Sequence, residues 1–261
     1  MHARICVLLA LAMPVSAVAQ PKPDVAAQAT ALNGPDVERA AKAAAALGGV
    51  TAPAAHDALL DGLALGLPPA VAAPALAALS AHPAPPDVPA LRRYAGHHNP
   101  TVRSAALSAL AVYPDPAARA ALVAGLHDPQ ASVRSAAAGA AARGRVRDAV
   151  DPLLLLLAKG EEPAARALAQ LADPVLAAKI ADQLGKVPEA TLGVCLGGIL
   201  VRTDFGPDPA RVEIVRAIAK LGDAAAVKAL TDYLDATAKL PPRPSRSEAQ
   251  MIVEARLGGG K

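Results

Sequence analysis

The chain of 261 residues is 53% hydrophobic but only 2% aromatic, and its 26 basic and 23 acidic residues give a net charge of +3. The apolar content is mostly Ala, Leu and Val, which suits closely packed helices and leaves few aromatic side chains to stack on bases or sugars. A charge this close to balance gives no argument for nucleic acid, so no nucleic-acid partner is predicted.

The first 19 residues have the pattern of a signal peptide. Arg4 supplies a positive start, residues 5–13 are apolar, and the small residues 17–19 precede a cleavage site before Gln20. Because the apolar run is too short to cross a bilayer, no transmembrane segment is predicted after signal-peptide removal. The sequence therefore predicts an exported bacterial protein that is periplasmic or secreted. The alternative is an uncleaved N-terminal anchor.

Signal-peptide cleavage would remove Cys6 and leave Cys195 as the only cysteine. One thiol cannot form an intramolecular disulfide, so packing alone must stabilise the exported chain. Cys195 lies in the apolar stretch 192–196, which indicates a buried small hydrophobic residue rather than a reactive thiol.

The rest of the chain divides into a short N-terminal segment and one long domain. Residues 20–34 are predicted to be a proline-containing linker followed by a short helix with Asp24 as its N-cap. Residues 35–261 are predicted to form a single solenoid. Its last helix, near residues 247–257, has a polar face that suits a terminal cap.

One short pattern returns with a period of about 31 residues within this domain. Val71, Val102 and Val133 each begin an alanine-rich segment with apolar residues at i, i+3, i+4, i+7 and i+8, which form one face of a helix. A second set with the same period lies between them: Leu91, Leu122 and Leu153. The sequence therefore predicts an all-α, right-handed α-solenoid of about six stacked antiparallel helix pairs. The leucine run at 153–157 is too short for a membrane span and is predicted to be a fully buried inner helix.

The turns of these repeats resemble a known family. Residues 126–137, LHDPQASVRSAA, are similar to the turn and second-helix signature of bacterial HEAT-like repeats. Segment 97–103 matches this signature less fully, because His97 occupies the expected Asp position, and segment 215–230 is similar to the family's helix-turn-helix junction. The signature arginine is missing at Ala72 and Ala165. The resemblance implies a stack of helix hairpins whose extended surface holds another protein.

No motif in the sequence indicates catalysis. The chain has no HExxH, GxSxG, Walker-type glycine loop or CxxC pattern. The adjacent carboxylates Glu161 and Glu162 would point away from each other on a helix, and we interpret them as a solvated helix start favoured by the helix dipole. The protein is therefore predicted not to be an enzyme, with no catalytic residue and no cofactor.

A histidine-rich position recurs in the turns of neighbouring repeats. His97, His98 and His127, with Asp128, are candidates for holding a transition metal, because equivalent turns of a stack lie along one ridge. Solvated turn histidines are the favoured interpretation, since the repeat brings such residues together without any ligand. No metal site is predicted.

Two arginines also follow the period. Arg103 and Arg134 are separated by one full repeat, and Asp128 can reach towards one of them in the stack. We interpret the three residues as a structural ladder of charge-assisted bonds between repeats. The alternative is a basic stripe that meets an acidic partner.

A second basic cluster lies at a repeat junction. Arg143, Arg145 and Arg147 alternate with other residues near the end of a predicted helix. A junction faces solvent, so these three arginines are the candidate partner-binding residues.

These features favour a non-enzymatic protein–protein interaction scaffold or assembly factor in the cell envelope, with an unidentified protein partner. One alternative is a ligand- or chromophore-handling protein, since HEAT-like repeats resemble those of phycobilin lyases. Another is a purely structural envelope component.

Overall fold

The computed structural model describes residues 24–258, and the predicted signal peptide lies outside them. Within that range the chain forms 15 α-helices and a short 3-10 helix, Arg147–Ala149, with no strand. The α-helices in chain order are α1 (Val25–Leu32), α2 (Val37–Gly48), α3 (Pro53–Leu65), α4 (Pro69–Leu79), α5 (Asp87–Ala95), α6 (Pro100–Leu110), α7 (Pro116–Gly125), α8 (Ala131–Arg143), α9 (Val150–Ala158), α10 (Glu162–Leu171), α11 (Pro174–Ala181), α12 (Glu189–Leu200), α13 (Asp208–Ile218), α14 (Asp223–Ala236) and α15 (Pro244–Gly258).

Short polar residues and prolines determine where many of these helices begin. The Asn99 side chain accepts a hydrogen bond of 2.9 Å from the Thr101 amide, and Pro100 occupies the first helical position of α6. Asp115 accepts bonds of 2.7 and 3.1 Å from two amides of the first turn of α7. These caps satisfy amides that have no partner inside the helix, so the boundaries follow from local sequence.

The helices form two rows. The even-numbered helices, α2 to α14, each pack against the next even-numbered helix, and the odd-numbered helices form a second, looser row. Each odd-numbered helix from α1 to α13 pairs with the helix that follows it, and α15 packs against α13 and α14 at the end of the stack. The predicted all-α helical repeat fold is confirmed, and the described residues form seven pairs and a terminal helix. No helix within residues 24–258 is long and apolar enough to cross a membrane.

The periodic apolar residues meet in one continuous core between the rows. Val71, Val102 and Val133 are at most 1% exposed. The interleaved leucines are equally buried: Leu91, Leu122 and Leu153. Neighbouring pairs thus share their apolar faces, because no single pair has enough apolar surface to bury alone.

Glycine and alanine bring the even-numbered helices close together. A Cβ atom on Gly48 of α2 would lie 2.7 Å from the Cβ of Ala78 in α4, and one on Gly198 of α12 would lie 2.9 Å from the Cβ of Ala169 in α10. Such distances leave no room for a larger side chain, so these residues determine the spacing of the even-numbered row.

One feature differs from the sequence prediction. The leucine run forms α9 in the odd-numbered row, and Leu155 is 62% exposed, so the prediction of a fully buried helix is wrong. The contacts of the neighbouring helices, rather than local hydrophobicity, decide which side of α9 is covered. The expected short helix capped by Asp24 is present as α1, which packs on α2 and α3 and buries Leu32.

Candidate partner-binding surface

Arg103 and Asp128 form a bidentate ion pair between neighbouring repeats. Arg103 Nε and Nη2 donate to the two carboxylate oxygens of Asp128 at 2.8 and 2.9 Å. Arg103 Nη1 donates to the carbonyls of His97 and His98 at 2.9 and 3.0 Å. The hydrogen bond from Arg103 holds the pKa of Asp128 below its ordinary value. One guanidinium thus ties the turn of its own repeat to the turn of the next.

Arg134 makes the same arrangement one repeat later. Its Nε and Nη2 lie 2.9 and 2.7 Å from Glu161 Oε1, and its Nη1 donates to two carbonyls of its own turn at 2.9 and 3.0 Å. Glu161 is therefore a rung of the ladder and not a solvated residue. Its role is not visible from the repeat period, because it lies two positions beyond one full period after Asp128. The ladder ends on both sides, since Ala72 and Ala165 occupy the arginine position.

The turn histidines lie near one another without forming a metal-binding group. The His97 ring lies 4.1 Å from that of His98, tilted by 33°, and its Nδ1 accepts a hydrogen bond from the Asn99 amide. His127 is exposed in the next turn, and both oxygens of Asp128 are bound by the ladder arginine. Within residues 24–258 no three His, Cys, Asp or Glu side chains are grouped to hold a metal ion.

The second basic cluster is divided between two places on the surface. Arg143 extends towards a carbonyl of α6 at 3.5 Å. Arg145 has φ of +51°, in the left-handed region, and lines a pocket of about 390 Å³ together with Arg147. Arg147 donates to the last carbonyl of α10 at 2.6 Å and forms an ion pair with Asp173. Arg147 therefore has a structural role, and the structure brings only Arg145 and Arg147 together.

Further arginines bind the carbonyl ends of helices. Arg202 donates to two carbonyls at the end of α10 at 2.8 and 2.7 Å and forms a bidentate pair with Asp204. Arg211, only 3% exposed, donates to carbonyls at and beyond the end of α12 at 2.6–2.8 Å. Burial lowers the pKa of Arg211. The last carbonyls of a helix lack internal partners and carry partial negative charge, so these arginines cap the C-terminal ends of α10 and α12.

A buried polar cluster joins α3, α5 and the turn after α6. Asp87 is fully buried, and its Oδ2 accepts hydrogen bonds from the Tyr113 hydroxyl at 2.7 Å and the Ala84 amide at 2.8 Å. His56 Nε2 lies 2.6 Å from Asp87 Oδ1, at ion-pair distance but outside hydrogen-bond alignment. Burial, with the bond to Asp87, raises the pKa of Tyr113. His56 and Asp87 are also separated by one full repeat, a use of the period that the sequence analysis overlooked.

An open groove of about 890 Å³ runs along α12, between α10 and α14. Its lining comes from these three even-numbered helices and from the turn that precedes α14. Ten of the sixteen lining residues are Gly, Ala or Val, so the floor is apolar and has no side chain longer than valine: Ala190, Gly193, Val194, Gly197, Gly198, Val201, Gly222, Ala224, Ala225 and Ala229. We call this surface the α12 groove.

The other six lining residues of the α12 groove are charged: Glu162, Arg166, Glu189, Asp223, Lys228 and Asp232. Each basic residue is paired with a carboxylate four residues away on its own helix: Arg166 with Glu162 on α10, and Lys228 with Asp232 on α14. Glu189 accepts a hydrogen bond of 3.0 Å from the Gly222 amide across the groove. The arrangement combines an apolar floor with charges on both walls, which is typical of a surface that binds a protein segment.

Comparison with known proteins defines the class of the repeats. A family model described as HEAT repeats matches residues 57–143 and 88–172. The matched residues run from α3 to the end of α10 and include both rungs of the arginine ladder. Residues 57–172, less than half of the chain, therefore match the HEAT-repeat model, and the resemblance seen in their turns is confirmed.

Solved structures share the fold at low sequence identity. A chain of the complex of CpcE and CpcF of phycocyanin lyase from Nostoc sp. PCC7120 is 22% identical, with a TM-score of 0.51 over 94% of this chain and 99% of that chain. Kap121p is 14% identical, with a TM-score of 0.57 over 90% of this chain, which spans 33% of that protein. No curated protein sequence matches the chain. At these identities the likeness defines the fold alone.

Proposed function

We propose that the protein is a non-enzymatic scaffold or assembly factor of the cell envelope that binds a partner protein in the α12 groove. The groove carries the proposal, because it is an open, largely apolar surface of about 890 Å³ on one row of helices. Stacked helical repeats commonly use such extended surfaces to hold other proteins. The similar chain from Nostoc sp. PCC7120 is itself part of a complex of two proteins, CpcE and CpcF.

The lining of the groove supports a binding role rather than a catalytic one. None of its sixteen residues is Ser, Thr, Cys, His or Tyr, so the lining has no hydroxyl, thiol or imidazole group to act as a nucleophile. The single cysteine of the described residues, Cys195, is fully buried, and burial raises the pKa of its thiol to about 12. A thiol of that pKa is protonated near neutral pH and is a poor nucleophile.

The envelope location rests on residues 1–19, whose charge and apolar pattern are those of a cleaved signal peptide. Intact-mass measurement of the exported protein tests this part of the proposal. We expect a mature chain that begins at Gln20. A chain that still begins at Met1, or that is found only in the cytoplasm, contradicts it.

Site-specific photo-crosslinking in cells tests the binding surface. A photo-reactive amino acid placed at Val201, at one end of the α12 groove, is expected to give one adduct of defined mass. The matched control is Leu155, which is also apolar and is 62% exposed, but lies in the odd-numbered row. We expect no adduct from Leu155, and loss of the Val201 adduct when Val194→Trp fills the floor. Equal adducts from both positions, or none from Val201, contradict the proposal.

A further inference from the structure

We propose that the partner segment held in the α12 groove is a cationic amphipathic helix of about three turns. This inference rests on the proposed function and adds the chemistry of the segment. It follows from the charge of the groove, from the order of the charges along it, and from the length and shape of its floor.

The groove is negative on a chain that is positive overall. Its four acidic and two basic side chains give a net charge of −2, whereas the whole chain has a net charge of +3. Opposite potentials across an interface guide encounter and suppress wrong partners. A segment with an excess of Lys or Arg therefore fits this surface better than an acidic one.

The acidic residues are concentrated at one end. Glu162, Glu189 and Asp223 are the first residues of α10, α12 and α14, and the helices of this row share one direction. Gly193 and Gly197 of α12 both lie against residues of α14, in the same order along the two helices, so the starts of α12 and α14 lie side by side. Glu162 is paired with Arg166, and Asp223 lies 3.1 Å from Arg256 of α15, but both carboxylates are more than half exposed. The groove thus presents three carboxylates at one end, for two of which the cationic end of a bound segment competes with an exposed ion pair.

The middle of the groove presents two cations on opposite walls. Arg166 and Lys228 are 63% and 72% exposed, and each is paired only with a carboxylate four residues away on its own helix. Exposed pairs of this kind contribute little to folding. Arg166 and Lys228 can therefore leave these carboxylates with little loss of folding free energy. They can then pair with acidic residues in the middle of the bound helix.

The shape of the floor favours a helix. It follows α12, whose 12 residues span about 18 Å at the rise of an α-helix. The floor residues are no larger than valine, so a rod with a stripe of small apolar side chains can approach the backbone of α12 closely. Amphipathic helices present such a stripe at positions i, i+3 or i+4, and i+7.

A synthetic helical peptide tests the inference directly. The probe has about 12 residues, an Ala/Leu stripe, lysines in one terminal turn and glutamates in the middle. One control peptide exchanges its lysines and glutamates, and a second has the same composition in scrambled order. By fluorescence anisotropy we expect the probe to bind about tenfold more tightly than either control, with affinity that falls as salt rises.

Variants of the protein locate the binding. Glu162→Gln with Asp223→Asn is expected to weaken the probe about tenfold, whereas Asp151→Asn on α9 leaves its affinity unchanged. Val194→Trp is expected to abolish binding, and Ser135→Trp on α8, outside the groove, is its matched control. Circular dichroism confirms that each variant keeps its helices.

The outcomes separate the inference from the function on which it rests. Equal binding of the probe and the charge-exchanged peptide overturns the cationic preference, and equal binding of the scrambled peptide overturns the helical one. Absence of probe binding, together with a specific adduct from Val201, overturns this inference and leaves the scaffold function intact. Absence of the adduct contradicts the function itself.

Discussion

Removal of one hydroxyl from the buried cluster is expected to destabilise the protein measurably. Tyr113 is 7% exposed and donates to the fully buried Asp87 at 2.7 Å, so Tyr113→Phe leaves that carboxylate with one donor fewer. A hydrogen bond to a charged group contributes about 1.5–3 kcal/mol, and loss of a single oxygen adds little cavity cost. We expect the free energy of unfolding to fall by about 2 kcal/mol.

Tyr94 supplies a matched control. It is 5% exposed, and its hydroxyl donates to the Leu63 carbonyl at 2.6 Å, a neutral acceptor. Tyr94→Phe removes the same atom and is expected to cost about 1 kcal/mol. In a chain of this size, thermal melting followed by circular dichroism should show a Tm loss of about 4–8 °C for Tyr113→Phe, about twice the loss for the control. Equal losses for the two variants refute the argument that the charge of Asp87 matters.

The pH dependence provides a second check on Tyr113. Burial, with the bond to Asp87, raises the pKa of Tyr113 above that of an unfolded tyrosine, about 10. The stabilisation is therefore complete below about pH 10 and is lost as the pH rises towards the higher value of the folded state. We expect the stability difference between the wild type and Tyr113→Phe to shrink above that pH. A difference that stays constant contradicts this cause.

Three further predictions follow from the packing and the ladder. Arg103→Met should lower Tm and reduce the loss of stability at acid pH. The lowered pKa of Asp128 stabilises the fold above the ordinary carboxyl pKa, and this contribution is lost as pH falls through the pKa of Asp128 in the folded protein. An unchanged pH dependence of stability in acid counts against this role. Gly48→Val should cost about 1–3 kcal/mol by forcing α2 from α4, while Gly139→Ala, which meets only an arginine side chain, should stabilise by up to about 1 kcal/mol in denaturant titration. Cys195 should resist thiol reagents in the native protein and react in denaturant; rapid native labelling would disprove its burial.

Much of the fold could be predicted because its causes are local and periodic. Asn99 and Asp115 cap helices within three residues of themselves, and Val102 with Val133 repeats one apolar face. The position of Arg103 in the ladder also follows from the repeat period. Interactions that leave the period escaped prediction, as Glu161 shows, because its carboxylate lies two positions later in its repeat than Asp128 does and still reaches the ladder arginine.

The candidate site depended on residues that no local pattern connects. The sequence predicts partner binding at Arg143, Arg145 and Arg147, but the fold places only Arg145 and Arg147 at one pocket and directs Arg143 towards α6. The α12 groove instead brings together Arg166 of α10 and Lys228 of α14, two helices that are not consecutive in their row and have no unusual motif. The sequence shows the acidic residue at the start of each of these helices. It does not show that these residues lie on one open surface.

The sequence by itself determined the helices, their caps and the shared apolar faces, because these depend on residues within one or two turns and on a fixed repeat. Only the tertiary structure decided which helices lie in which row, and hence which side of each is open. Leu155 illustrates the difference, since a leucine run is expected to be buried until its row is known. A groove depends on the separation of three helices, and close contacts such as that of Gly198 with Ala169 determine that separation.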